Sequence, residues 1–152
     1  MSIFNIEKLE EIDDYTKNEL IGVWENSVRA THTFLAEDDI QKLKPIVGEG
    51  LTQVEKLFCV KERNKYIKAF LGVDDKKVEM LFVSPDARGE GIGRTLMSYA
   101  INKLGAKYVD VNEQNPLAVG FYEHIGFEVF DRSELDDQKN SFPILHMSIK
   151  VD

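Results

Sequence analysis

The sequence predicts an α/β fold, a mixed sheet with helices on both faces. Three observations carry that expectation. Val78–Val83 is a largely apolar run of strand length, stopped by Ser84-Pro85-Asp86, which is how a buried strand reads. Ile92, Leu96, Met97, Ala100, Ile101 and Leu104 share one helical face directly after it. Strand and helix patterns then alternate to the end of the chain, as in folds whose helices cover a sheet.

Taken in order, Ser2–Ile6 reads as a short opening strand. From Tyr15 onward, Leu20, Val23, Trp24, Ser27, Val28 and Thr31 recur at the 3/4 spacing of one helix face. A second helical stretch covers about Ala36–Gln53, with interruptions expected at Pro45, Gly48 and Gly50. Leu57–Val60 and Tyr66–Val73 read as strands, and Glu62-Arg63-Asn64-Lys65 between them suits a hairpin turn. Gly105 stands where the helix from Ile92 needs a C-terminal cap. Tyr108–Val111 is a short strand. Asn115 and Pro116 supply an N-cap and a first-turn proline for a helix ending at Gly126. Strands at about Phe127–Ser133 and Ile144–Val151 close the order.

No repeat, low-complexity tract or linker sets a boundary, so residues 1–152 read as a single domain. At 43% hydrophobic and 30% charged residues the composition is globular. No apolar run approaches the ~18–20 residues that span a bilayer. The opening Met1-Ser2-Ile3-Phe4-Asn5 lacks the layout of a signal peptide. Cys59 is the sole cysteine, which excludes an intrachain disulfide, suits a small buried hydrophobe and fits a cytoplasmic address. The net charge of −8 argues against nucleic acid as a partner. It would concentrate a cationic substrate such as an amine, although solubility alone accounts for such a surface equally well.

Arg88-Gly89-Glu90-Gly91-Ile92-Gly93 lies between the buried strand and the amphipathic helix. Glycines there admit positive φ and let backbone amides approach a ligand. The first amides of the helix point outward, and its dipole favours an anion. With Arg88 and Arg94 alongside, the loop describes a diphosphate cradle. A P-loop is excluded because Arg94-Thr95, not a lysine, follows Gly93. A dinucleotide fingerprint is excluded by the Gly-x-Gly-x-Gly spacing, and Asp110 at about its acidic position carries little weight in so acidic a chain. A turn serving only chain reversal stays open on the glycines alone.

One strand later stands Asn115-Pro116-Leu117-Ala118-Val119-Gly120-Phe121-Tyr122-Glu123-His124-Ile125-Gly126-Phe127. The pair of segments, in this order and separation, resembles the GNAT acetyltransferase superfamily. The likeness is firm over Val78–Phe127. Val111–Asn115, Arg132–Asp137 and Ala30–Leu35 look like the YjaB-type bacterial branch, members of which have been proposed to acetylate protein lysines. The resemblance implies a mostly antiparallel sheet of about seven strands and acetyl-CoA as co-substrate. It implies that the backbone of Phe82 and Val83 pairs with the pantetheine arm. Amides around Gly89, Gly91, Gly93 and Arg94 would hold the pyrophosphate, with Arg88 lending charge. Asn115 would contact the cofactor arm, and Tyr122 would reach the sulfur.

Acetyl transfer to an amine needs a neutral nucleophile, a stabilised oxyanion and a protonated leaving thiolate. A lysine-like amine has a pKa of about 10.4, so a base or a water chain must take its proton. A strand amide near Phe82 suits the oxyanion. The Tyr122 hydroxyl suits the acid, because a phenol of pKa about 10 holds its proton at pH 7. Glu79 and His32 are the candidate bases, each with a plainer alternative as a surface carboxylate and a capping or packing ring. Asn112 and Glu113 could instead order a water chain. His124 and His146 receive no catalytic role. An acyl-cysteine relay is disfavoured, and no residues have metal-ligand or nucleophile-elbow spacing. Direct transfer to a protein lysine or a small amine in a ternary complex is the expected activity. A non-catalytic CoA-binding sensor or interaction module is the alternative.

Overall fold

The computed structural model describes residues 4–63 and 65–150. Strand β1 (Ile6–Lys8) precedes helices α1 (Asp14–Thr31) and α2 (Glu37–Gln53), then strands β2 (Lys56–Glu62), β3 (Tyr66–Asp74) and β4 (Lys77–Val83). A 3-10 turn, Pro85–Ala87, leads to α3 (Ile92–Leu104), β5 (Tyr108–Asn112), α4 (Pro116–Ile125), β6 (Glu128–Ser133) and β7 (Ile144–Ser148). The strands form one seven-stranded sheet in the order β1-β2-β3-β4-β5-β7-β6. Every neighbouring pair is antiparallel except β4–β5. The expected mostly antiparallel, helix-flanked sheet is therefore present.

Strand alternation sends successive side chains to two separate cores. Leu57 and Cys59 of β2 and Ile67 and Phe70 of β3 pack with Leu20, Trp24 and Val28 of α1 and Ile40 and Leu51 of α2. On the other face Phe58, Val60, Ala69 and Leu71 meet Ile92, Leu96, Met97 and Ala100 of α3, with Tyr122 and Phe127. Asp13 starts α1 by accepting the Thr16 amide at 2.8 Å. Gly105, at φ 73°, ends α3.

Three boundaries differ from the sequence reading. The opening strand is Ile6–Lys8, not Ser2–Ile6; Ser2 and Ile3 lie outside the described residues. Its charged alternation on a sheet edge hides it from an apolar pattern, and pairing of Ile6 with Val60 fixes it. Helix α2 runs unbroken through Pro45, Gly48 and Gly50. Pro45 is exposed, so the carbonyl it releases faces solvent. Gly48 is buried where α2 meets α1, and a Cβ there would stand 3.0 Å from Lys17 Cε. The last strand ends at Ser148, and Val151 lies outside the described residues. The β2–β3 turn is where expected, with Arg63 at φ 53° and Asn64 outside the described residues.

The feature that positions a site is a parting of the sheet. β4 and β5 pair only at Lys77 with Tyr108 and Val78 with Val109. Beyond that point β4 continues along β3 to Val83, and β5 continues along β7 to Asn112. The β4 edge from Glu79 to Val83 is left facing a cleft. Glu79 opens it as the extra residue of a β-bulge, because Met80 faces Gly72 while Val78 faces Val73.

Phe70 is fully buried at the centre of this arrangement and packs 5.6 Å from Phe82. Phe70→Ala is expected to lower unfolding free energy by about 3–5 kcal/mol in urea denaturation.

Candidate active site

The cleft between β4 and β5 holds a cavity of about 560 Å³. The candidate catalytic and cofactor-binding residues Tyr122, Glu79, His32, Phe82, Val83, Arg88, Gly89, Gly91, Gly93, Arg94 and Asn115 all line it. They come from five stretches of chain, so only the fold brings them together.

One end of the cavity is a backbone cradle. Gly89 and Gly91 adopt φ 84° and 83°, and nothing within 4 Å would obstruct a Cβ at either. Glycine is needed there for conformation rather than for space. Gly91 caps α3 in the left-handed region, and Thr95 returns its amide to the Gly91 carbonyl at 3.0 Å. The amides of Ile92, Gly93 and Arg94 precede any intrahelical partner, and the first turn carries no acidic side chain. This end suits an anion. Arg88 lines the cavity while its Nη2 lies 3.3 Å from Ser27 Oγ, tying the cradle to α1.

Tyr122, which lines the same cavity, is buried, its ring fixed edge-on by Phe121 at 5.1 Å and Phe127 at 5.8 Å. Burial pushes its hydroxyl above the ordinary phenol value. Asn115 is buried, caps α4 by accepting the Ala118 amide at 3.3 Å, and sets its Nδ2 3.5 Å from His32 Nε2. The other nitrogen of His32 lies 2.9 Å from Thr31 Oγ1. Burial, then the Arg88 charge, lowers the His32 pKa to about 4, so the ring is neutral at pH 7. Glu79 behaves oppositely. Its burial lifts the carboxyl above the usual range; Lys77 opposes this, and Asp74, Asp110 and Asp137 add to it.

A second cavity of about 210 Å³ lies under the turn joining α1 and α2. Trp24, Val28, Phe34 and Leu35 line one side, and Asp136, Asp137 and Phe142 of the β6–β7 connection line the other. Phe34 and Phe142 meet at 5.6 Å. His32, Phe82, Asp110 and Asn112 line both cavities and form the seam between them.

Sequence reading missed part of this. Asp110 had been weighed only against a nucleotide fingerprint. Asp136 and Asp137 lie in a segment that resembles the family branch but had no site role in the sequence, and Phe142 carries no local signal; the β6–β7 connection brings all three to the cavity beside α1. Glu113, expected as a possible water-chain residue, lines neither cavity. It binds Arg132 through both carboxylate oxygens at 2.6 and 3.0 Å, pinning β5 to β6. Cys59 is fully buried, and burial foremost, with Glu7 beside it, raises its thiol to about 11. That is inert chemistry. Among the described residues no group of His, Cys, Asp and Glu could hold a metal ion, and no helix is long and apolar enough to cross a membrane.

An anion cradle at a helix N-terminus, a parted parallel strand pair and a buried tyrosine line one cavity, and the fold is that of the acetyltransferases. Residues 12–151 match the acetyltransferase (GNAT) domain, and the chain belongs to that family as an N-acetyltransferase. It is 37% identical over 130 residues to the peptidyl-lysine N-acetyltransferase YjaB of Escherichia coli strain K12, covering 86% of this chain and 88% of that one. The solution structure of apo-form YjaB from Escherichia coli superposes with a TM-score of 0.85 at 32% identity, over 97% of each chain. The PaiA N-acetyltransferase of Thermoplasma acidophilum, solved with coenzyme A, shares the fold at a TM-score of 0.70 and 20% identity, over 99% of this chain and 100% of that one.

The two kinds of glycine in the loop should separate on substitution. Gly91→Ala forces a left-handed alanine and should lower unfolding free energy by about 1–2 kcal/mol. In Gly93→Ala the new Cβ would meet Phe121 Cζ at an ordinary 3.5 Å. That variant should match or slightly exceed the parent in the same denaturation measurement.

Proposed function

We propose that the chain works as one acetyltransferase domain that moves the acetyl group of acetyl-CoA to a primary amine by direct transfer in a ternary complex. The acceptor is a protein lysine or a small amine. One observation carries this reading: the anion cradle, the open β4 edge and Tyr122 face one cavity, which meets a second at a seam. The lysine acceptor draws further support from the relative named as a peptidyl-lysine N-acetyltransferase.

The residues present fit the donor. The amides of Ile92, Gly93 and Arg94 would hold the pyrophosphate, with those of Gly89 and Gly91 and the Arg88 charge beside them. The β4 edge at Phe82 and Val83 faces the cleft and would pair with an extended pantetheine arm as an added strand does. Asn115 would contact that arm. Acetyl-CoA supplies the activated acyl group when bound.

The remaining chemistry belongs to the chain. Tyr122 keeps its proton at neutral pH and delivers it to the leaving thiolate. A β4 amide near Phe82 stabilises negative charge on the acyl oxygen. Of the two candidate bases, Glu79 is the better placed. Its carboxyl, lifted by partial desolvation at the cleft although the residue is about a third exposed (36%), binds the amine proton more readily than a fully solvated glutamate does. His32, lowered to about 4, is a poor proton acceptor and instead orients Asn115.

Tyr122→Phe should lower kcat about 10²-fold or more while acetyl-CoA affinity, read by calorimetry, stays within twofold. Unchanged kcat across the pH range removes Tyr122 as the acid. Glu79 must be ionised to act, so kcat/KM should rise with pH through one ionisation above the ordinary carboxylate range. Glu79→Gln should lower the rate and abolish that acid limb. A limb that persists in the variant assigns the base elsewhere.

A further inference from the structure

From the seam a polar network crosses four strands, and none of its members is among the residues proposed to hold the donor. His146 of β7 stands opposite Asp110 of β5 and Asp131 of β6. Its Nδ1 lies 2.7 Å from Asp110 Oδ1, and its Nε2 lies 2.7 Å from Ser133 Oγ. The second Asp110 oxygen accepts from Lys77 Nζ at 2.7 Å, and Lys77 lies 3.7 Å from Glu79. With Nδ1–H donating to the carboxylate, Nε2 and the Ser133 hydroxyl share the second hydrogen bond.

The order Ser133–His146–Asp110 is that of a nucleophilic triad, yet Ser133 lines neither cavity and Asp110 lines both. The end that meets a substrate is therefore the carboxylate. Its two oxygens offer about four lone-pair positions, of which Lys77 and His146 take two. Of the four residues at the seam, Asp110 is the one carboxylate; His32 is neutral, and Phe82 and Asn112 carry no charge. Asp110, Glu79 and Asp137 together outnumber the nearby cations Lys77 and Arg88, so the seam keeps a negative excess. The aromatic wall of Phe34 and Phe142 lies on the approach to it.

We infer that the smaller cavity admits the acceptor as an ammonium on an alkyl stem, and that Asp110 binds the ammonium. His146, backed by Ser133, is a positioning residue that fixes the carboxylate. The inference rests on the amine-acetylation reading and names the groups that select the acceptor. The stem lies along Phe34 and Phe142, and the nitrogen reaches the seam beside Glu79.

The test is a titration of the full-length ¹⁵N-labelled protein with Nα-acetyl-lysine amide and with the uncharged Nα-acetyl-norleucine amide, followed by amide chemical shifts. The lysine amide should shift Asp110, Asn112 and the β6–β7 connection, and bind about tenfold more tightly than the norleucine amide. Asp110→Asn should erase that preference while acetyl-CoA affinity stays unchanged. His146→Leu should weaken the preference, and His146→Asn, whose amide N–H can reach Asp110, should restore it. A purely structural His146 would shift thermal melting without touching charge preference. Equal affinity for the two amides in the parent protein, or a preference that survives in Asp110→Asn, overturns the inference. Charge-selective binding without acetylation of the lysine amide supports it while counting against the amine-acetylation reading, so the two fail separately.

Discussion

The divergence of β4 from β5 after two paired positions is the constraint on which the rest of the site depends. A parallel pair carried to its full length would close the sheet and leave no cleft. Here β4 stays with β3, β5 leaves with β7, and the β4 edge from Glu79 to Val83 faces the resulting space. The bulge at Glu79 begins the parting and turns a carboxylate toward it. The helices then serve the cleft: α3 brings amides to one end, α4 brings Tyr122 and Asn115 to the floor, and the α1–α2 turn covers the far side with His32.

Electrostatics divide this space into two halves of opposite preference. The cradle offers helix-terminal amides with Arg88 and Arg94 in a chain of net charge −8. The smaller cavity and its seam gather Asp110, Asp136 and Asp137, with Glu79 on the wall of the larger one. Under the proposed reading, an anionic donor and a cationic acceptor would be drawn to different ends of one passage. The buried tyrosine avoids the charged state, as a proton donor at neutral pH must.

Much of this was legible in the sequence wherever a local pattern carried it. Gly89 and Gly91 read as a cradle because a strand preceded them and an amphipathic helix followed, and both adopt positive φ. Asn115-Pro116 announced a helix start, and Asn115 does cap α4. What escaped depends on tertiary placement. The Asp110–His146–Ser133 network joins residues 13 and 36 positions apart through strand order, and a short alternating strand gives no hint of its neighbours. The unbroken α2 was obscured by Pro45, whose exposed position makes the lost hydrogen bond tolerable. Glu113 looked like a site residue from its neighbourhood, and only its pairing with Arg132 shows that it faces elsewhere.

In the proposed reaction the parted strands hold a donor and an acceptor for direct transfer. It is tested most directly by incubating the protein with acetyl-CoA and parallel panels of lysine peptides and small amines. Free thiol and acetylated product are then counted together by absorbance and mass spectrometry. Direct transfer releases one thiol per acetyl group gained by an amine, with no acetylated protein intermediate. Tight acetyl-CoA binding with no thiol release against any amine would contradict it.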